Sequence, residues 1–344
     1  MDGSVNALME IRDLRVEFDV PAGRLPAVAG IDLDLAAGEL LALVGESGSG
    51  KSALSMSLVG LNRGPAAHIS GEVRFGGRDL VAASERELRG VRGKDISVVF
   101  QDALAALNPT QKVGDQVAEM IRTHRKARRR DAWKRAEELL GEVGIANPAQ
   151  AARAYPHQLS GGMRQRVMIA IGLANDPAVL IADEPTTALD VTIQAQVLKL
   201  LKRLQAEHGT TIVLITHDLG VVAEVADRVA VMYAGRVIEQ GTRDEVLFHP
   251  QHPYTMALLN SVPRVDGPHV DRLPAIAGSP LTGVSRPSGC AFAPRCAFVT
   301  SGCDVDIPQL LQRYGEPGHL DRCLLDAPAR VRARAGAETQ VVTP

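Results

Sequence analysis

No stretch of this 344-residue chain comes near the roughly eighteen consecutive apolar residues that a membrane-spanning helix requires. The first dozen residues, which hold Asp2, Glu10 and Arg12, contain no apolar stretch resembling a signal peptide either. Charge of one sign is also lacking. The formal net charge is −2, so bulk electrostatics offer nothing to nucleic acid. Cysteine is absent until Cys290, which leaves most of the chain without a disulfide framework. These absences predict a cytosolic protein whose membrane contact, if any, is made through a partner.

What is present is a core. With 45% hydrophobic residues, the chain has enough for one large domain plus an appendage. Residues 8–20 alternate apolar and polar, as a half-buried strand does, and Ile31–Leu35 is a second candidate. Leu40–Val44 is a short apolar run ending in glycine, which suits a fully buried strand, with a helix expected from about Gly50. Residues 112–145 read as one polar helical region. Its basic run, Arg122 to Arg135, is expected to be a solvated face, with docking to a partner or lipid head groups as the alternative. A further helix is predicted from Ser160, with Val167, Ala170, Ile171 and Ala174 on one face. Strands are predicted at Val179–Ala182 and Ile212–Ile215, separated by a helix over Val191–Glu207. Strands alternating with helices predict a parallel sheet covered on both faces, an α/β fold. Beyond about Gly241, Pro, Gly and Cys rise, and the tail from about Ala327 is expected to be poorly ordered.

Gly45-Glu46-Ser47-Gly48-Ser49-Gly50-Lys51-Ser52 fits the phosphate-loop pattern G-x-x-x-x-G-K-[ST]. Gly45, Gly48 and Gly50 let the backbone curl, so that N–H groups of the loop, Ser47 and Ser49 among them, point at phosphate oxygens. The next helix adds its unsatisfied N–H groups and positive dipole end. Lys51 then supplies a mobile charge for the β- and γ-phosphates, and the Ser52 hydroxyl a ligand for Mg²⁺.

Such a loop needs a partner for the metal. Val179-Leu180-Ile181-Ala182-Asp183-Glu184 is an apolar strand that delivers two carboxylates at its end. Asp183 is placed to hold the Mg²⁺ shell and Glu184 to act as general base on water. His217 follows the next buried strand and reads as a γ-phosphate sensor.

Leu159-Ser160-Gly161-Gly162-Met163-Arg164-Gln165-Arg166, just before the acidic strand, resembles the signature motif of ABC ATPases. The resemblance extends to Gln101 as the Q-loop glutamine that also reaches Mg²⁺, to Ala188-Leu189-Asp190 as the D-loop, to His217 as the switch histidine and to Phe18 as the adenine-stacking aromatic. It covers residues 8–245 and implies a P-loop NTPase (RecA-like) core with an antiparallel β subdomain and a helical subdomain over about 102–165. The predicted ATPase domain is then 1–245. One loop and one signature imply a dimer with two ATP molecules sandwiched, each signature (Ser160, Gly161, Gly162) completing the facing subunit's site.

His252-Pro253-Tyr254-Thr255, Leu258-Leu259 and Gly289-Cys290-Ala291-Phe292-Ala293-Pro294-Arg295-Cys296 resemble ATPase subunits of oligopeptide and dipeptide importers, and Gly161-Gly162-Met163-Arg164-Gln165-Arg166 resembles the D-type subunit in particular. That resemblance makes 246–344 a C-terminal extension. It implies a second, different ATPase subunit, two membrane permease subunits and an extracytoplasmic binding protein, and it places the chain peripherally on the cytoplasmic membrane face. Nickel importers share much of the pattern. Cys290, Cys296, Cys303 and Cys323 are spaced C-x5-C-x6-C-x19-C. A [4Fe–4S] cluster is the expectation, which the family resemblance also suggests; zinc, with His319 able to replace one cysteine, and free thiols are the alternatives.

Overall fold

The structure, a computed structural model, describes residues 7–187, 189–261, 276–281 and 283–339, with side chains to residue 335. Its strands are β1 (Ala7–Val20), β2 (Gly23–Ala36), β3 (Leu40–Val44), β4 (Ala67–Phe75), β5 (Arg78–Asp79), β6 (Ile96–Val99), β7 (Val179–Asp183), β8 (Thr211–Thr216), β9 (Arg228–Tyr233), β10 (Arg236–Thr242) and β11 (Leu320–Asp321). One sheet is antiparallel, in the order β2-β1-β4-β5. The other runs β11-β10-β9-β3-β8-β7-β6. In it β9, β3, β8, β7 and β6 are parallel, while β10 and β11 close one edge antiparallel.

The central strands are apolar throughout because both of their faces are covered. Side chains alternate across a strand, so β3 sends Leu40, Ala42 and Val44 to one core and Leu41 and Leu43 to the other. β7 does the same with Leu180 and Ala182 against Val179 and Ile181, and β8 with Ile212 and Leu214 against Val213 and Ile215. The first core lies under helices, including Gly161–Leu173 and Val191–His208. The second is roofed by the antiparallel sheet, through Met9, Ile11, Leu14, Val28, Ile31 and Leu35. Each Leu or Ile so buried contributes about 1.5–3 kcal/mol.

The region 112–145 is helical as expected and divides into two helices, Val113–His124 and Arg129–Glu142, with Arg125 in extended backbone between them. Continuing the helix would stack Arg125 on Arg129 and Lys126 on Arg130, like-charge pairs four residues apart that cost helix stability. The break instead lets Arg125 reach Asp176 at 2.6 Å and Arg129 reach Asp115 at 3.6 Å. The helix Gly161–Leu173 continues beyond residue 165 onto the sheet, where a Cβ on Gly172 would lie 3.0 Å from Leu180 and 3.1 Å from Val99.

The tail corrects the sequence expectation. Residues Ala327–Thr339 form a helix rather than a disordered end, and Arg330 on it is fully buried. Its guanidinium pairs with the equally buried Asp321 of β11 at 2.9 Å and donates to the carbonyls of Gln251, Leu325 and Cys323. Composition gave no hint of this, because the partner carboxylate lies nine residues upstream in an unremarkable loop sequence. Removing one member of a buried ion pair strands the other, so Arg330→Ala should lower the unfolding free energy by about 3–5 kcal/mol in urea titration. A loss below about 1 kcal/mol would show that the tail is not docked.

Candidate functional site

Four parallel strands end along one edge of the sheet, and each delivers a residue singled out from the sequence. β3 leads into Gly45, β8 into His217, β7 ends on Asp183 and is followed by Glu184, and β6 leads through Phe100 to Gln101. Register aligns these ends: Val44 pairs with Thr216, Asp183 with Ile215 and Val99 with Ala182. The carboxyl edge of such a sheet is where α/β proteins bind ligands.

The loop from Gly45 to Ser52 owes its path to its glycines. Gly45, Gly48 and Gly50 all have positive φ, at +152°, +78° and +103°. A Cβ on Gly45 would lie 2.2 Å from the Met232 carbonyl oxygen, and one on Gly50 2.2 Å from that of Ala27. No side chain fits either place. The β9–β10 turn holds the loop from outside, with the Gly235 N–H donating to the Ser49 carbonyl at 2.9 Å. Ser49 is buried, and Lys51 folds back to donate to the Gly45 and Glu46 carbonyls at 2.7 and 3.0 Å. Burial pushes the Lys51 ammonium below its ordinary range, against the opposing pull of Glu184, Asp183 and Glu46.

Beside the loop, the Asp183 carboxyl is raised by burial, although a hydrogen bond from Ser52 and the charge of Lys51 hold it down. Its Oδ1 is buried with no protein partner. An orphaned carboxylate oxygen next to a serine hydroxyl is an oxygen donor set for a hard cation, and Mg²⁺ takes few protein ligands because phosphates and water supply the rest. Glu184 has left-handed backbone, φ 46°, which turns its side chain out of the ladder. Its Oε2 accepts from Gln101 Nε2 at 2.9 Å and from Thr187 Oγ1 at 2.8 Å, and its Oε1 lies 3.2 Å from His217 Nδ1. Burial alone would raise this carboxyl; the hydrogen bonds of Thr187 and His217 and the charges of His217 and Lys51 more than offset it, leaving Glu184 below its usual range. Gln101, Glu184 and His217, 116 residues apart end to end in sequence (217 − 101), therefore meet on one carboxylate. Thr187 is a fourth member that sequence reading did not single out; only its place three residues after Glu184 pointed to it.

Ser160, Gly161 and Gly162 stand elsewhere. They head the helix Gly161–Leu173, where Ser160 caps by accepting from the Met163 N–H at 3.3 Å. Ser160 and Gly162 line an open groove with Gly144, Arg166, Ile193 and Gln196, to which the phosphate loop contributes nothing. Gly162 has a packing reason as well, since a Cβ there would meet Ile193 at 2.6 Å. Asp190 caps the helix Val191–His208 through the Ile193 N–H at 2.9 Å, and Ala188 lies outside the described residues. Phe18 pairs across the sheet with Leu25, two residues before the Ala27 that touches Gly50, so it lies about one strand spacing and two residues, ~5 and ~7 Å, from the loop.

The four cysteines converge on one cavity of about 20 Å³, lined also by Phe292, Phe298, Leu324 and Leu325 and by no carboxylate. Burial raises Cys290, and pushes Cys296 up to about 11 and Cys323 up to about 12. Among the described residues, however, no three His, Cys, Asp or Glu side chains stand close enough to share an ion. His319 is overturned as a substitute ligand. Its Nε2 is 2.8 Å from buried Glu239, and it lines a different cavity with Glu245 and Tyr314. The spacing pattern did not reveal that Glu239 claims this ring.

His252, on the wall of the thiol cavity, caps the helix Pro253–Asn260 by accepting from the Tyr254 N–H through Nδ1 at 3.1 Å. Burial, reinforced by the charge of Arg330, pushes its pKa down to about 3. The unfolded chain therefore binds a proton that the folded one refuses between about pH 6.5 and 3, and stability falls as pH drops through that window. His252→Asn keeps a capping oxygen and does not titrate, so its melting temperature should fall less than that of the parent between pH 7.5 and 5. Equal losses would remove His252 from the acid response.

Comparison with known proteins places these features. The model described as ABC transporter matches residues 28–187, and that described as oligopeptide/dipeptide transporter, C-terminal region, matches 238–303. The oligopeptide transport ATP-binding protein OppD of Bacillus subtilis (strain 168) is 51% identical over 295 residues, covering 86% of this chain and 82% of that protein. The dipeptide transport ATP-binding protein DppD of the same organism is 50% identical over 319 residues, 92% of this chain and 94% of its own length. Among solved structures, a dimeric ATP-binding cassette in a post-hydrolysis state bound to ADP and Pi superposes with TM-score 0.62 at 29% identity, covering 68% of this chain and 98% of that one. The phosphate loop and both acidic residues fall inside the first matched region and three of the four cysteines inside the second, and the chain belongs to the family of oligopeptide/dipeptide ABC transporter ATP-binding proteins.

Proposed function

We propose that this chain hydrolyses MgATP to drive an importer of di- or oligopeptides, residues 1–245 carrying the ATPase and 246–344 the extension. The meeting of Gln101, Thr187 and His217 on the Glu184 carboxylate, beside the Lys51 loop, carries the reading. Gly45 to Ser52 and Lys51 cradle the phosphates, and Phe18 stacks on adenine. Ser52, Asp183 and Gln101 would hold Mg²⁺, whose chemistry when bound would be to neutralise charge on the transferred phosphoryl group. Glu184, kept ionised by its neighbours, accepts the proton of the attacking water, and His217 orients on the γ-phosphate.

Ser160 and Gly162 line a groove to which the loop contributes nothing, and with Gly161 and Asp190 they are proposed to serve the ATP site of a facing ATPase subunit. The dimeric state of the solved cassette with ADP and Pi supports such pairing. Two permease subunits and an extracytoplasmic binding protein would complete the importer and hold this chain at the cytoplasmic face. No helix among the described residues is long and apolar enough to cross a membrane, so the permeases supply that step. The transport names of the relatives favour peptides over nickel. Glu184→Gln should retain ATP binding and lower turnover by a factor of about 10² or more, comparable to loss of a general base. Turnover within a few fold of the parent would remove Glu184 from that role.

We further propose that Cys290, Cys296, Cys303 and Cys323 ligate a metal centre, [4Fe–4S] first and zinc as the alternative. Four thiols on one apolar, carboxylate-free cavity support it, because thiolates select iron–sulfur clusters and zinc. The cavity's size stands against the larger group: about 20 Å³ admits roughly one water-sized occupant. Among the described residues no three of these side chains stand close enough to share an ion, so either occupant requires the thiols to move and the cluster requires the walls to part. Iron and acid-labile sulfide in anaerobically purified protein, four of each per chain, are the expected result. One zinc per chain would replace the cluster, and neither metal would overturn the proposal.

A further inference from the structure

The second residue of the phosphate loop is tied to the extension. Glu46 receives two hydrogen bonds from the Arg295 guanidinium, at 2.7 and 3.1 Å, across 249 residues of sequence. Arg295 is nearly buried, its side chain 4% exposed. It also donates to the carbonyls of Ala277 and Ile276 and lies over the rings of Tyr233 and Phe292 at 5.8 and 5.9 Å. The Glu46 N–H is taken as well, donating to the Tyr254 hydroxyl at 2.9 Å. Tyr254 packs on Tyr233 and Phe292 with centroids 4.7 and 5.3 Å apart. Three aromatic rings and one guanidinium thus form a bracket under a single loop residue.

That residue matters for two physical reasons. The carbonyls of Gly45 and Glu46 are those on which Lys51 rests, so the orientation of Glu46 sets where the Lys51 ammonium begins. Its carboxylate is also a negative charge in a loop shaped for phosphates, and a bidentate arginine cancels that charge while fixing its direction.

We propose that Arg295 is a positioning residue for nucleotide binding: by holding and neutralising Glu46 it makes the affinity of the phosphate loop for MgATP depend on the C-terminal extension. The short turn that presents Arg295, Ala293–Arg295, lies between Cys290 and Cys296, whose backbones close it through the Ala293 N–H to Cys290 carbonyl and Cys296 N–H to Ala293 carbonyl bonds. Whatever ties those two cysteines therefore also orients the guanidinium. At the phosphate loop itself, the ion pair joining the ATPase core to the extension is the one between Glu46 and Arg295.

This inference rests on the ATPase reading above, and one experiment separates the two. ATP hydrolysis by the assembled transporter is measured against ATP concentration for the parent, Arg295→Ala, Arg295→Lys and the double variant Arg295→Ala with Glu46→Gln. Arg295→Ala should raise the KM for ATP about tenfold or more while kcat changes less than about threefold. Arg295→Lys, which keeps the charge and loses the fork, should fall between. The double variant should recover most of the lost affinity, because no unpaired carboxylate then faces the phosphates. If Arg295→Ala does not fold, the lysine variant and Glu46→Gln alone read the same bond from its two ends. Parent-like KM in the arginine variants, or a KM defect that Glu46→Gln does not relieve, overturns the inference while leaving the ATPase reading intact. A parent without ATPase activity overturns that reading instead.

Discussion

Two carbonyl oxygens leave the phosphate loop its only path. Those of Met232 and Ala27 stand where a Cβ on Gly45 or Gly50 would have to be, each at 2.2 Å. The loop can thread between β9 and β2 only because both residues lack a side chain and both take positive φ. Everything at the site follows from that passage. It leaves Lys51 at the head of its helix and Ser52 against Asp183, and it brings the loop level with the ends of β8, β7 and β6. The sheet's period of two does the rest, by covering the central strands with helices on one side and with the antiparallel sheet on the other.

Much of this was legible in the sequence because it depends on local pattern. Apolar runs ending in glycine or in paired acids marked β3 and β7, and the motifs on their ends needed only adjacency in the sheet to become a site. The helix that begins at Ser160 was legible as well, whereas the capping role of Asp190 emerges only in the structure. Features resting on distant partners were not legible. The break at Arg125 contains no Pro or Gly, and it pairs with Asp176, fifty-one residues on. The order of the tail depends on Asp321 and Arg330 finding each other in a dry interior, which a composition rich in Ala, Arg and Thr does not reveal. His319 looked like a ligand only while Glu239 was unseen.

The extension is more than an appendage to the nucleotide-binding core. β11 adds to the edge of the main sheet, Tyr254 and Arg295 reach the phosphate loop, and Arg286 reaches the Pro26 carbonyl next to it. Buried polar groups gather where the extension meets β10: Glu239 of that strand and His252, His319, Asp321 and Arg330 of the extension are all nearly or fully inaccessible. Each is hydrogen-bonded, and stranding any of them in a low-dielectric interior is costly. Such a region holds one geometry or fails, which suits a part that braces a ligand loop.

Gly162 and Asp190 show why motif residues need their surroundings read as well. Each has a structural duty, clearance for Ile193 in one case and a helix cap in the other, before any nucleotide is considered. The phosphate loop is the place where geometry and proposed chemistry cannot be separated, and binding of MgATP to Gly50→Ala tests that directly. Titration of the folded variant should show affinity reduced by a factor of about 10² or more, since the Cβ and the Ala27 carbonyl cannot both stay where they are without moving the loop by the ~1 Å that disables such a site. Affinity within a few fold of the parent, with the circular dichroism spectrum unchanged, would contradict the account.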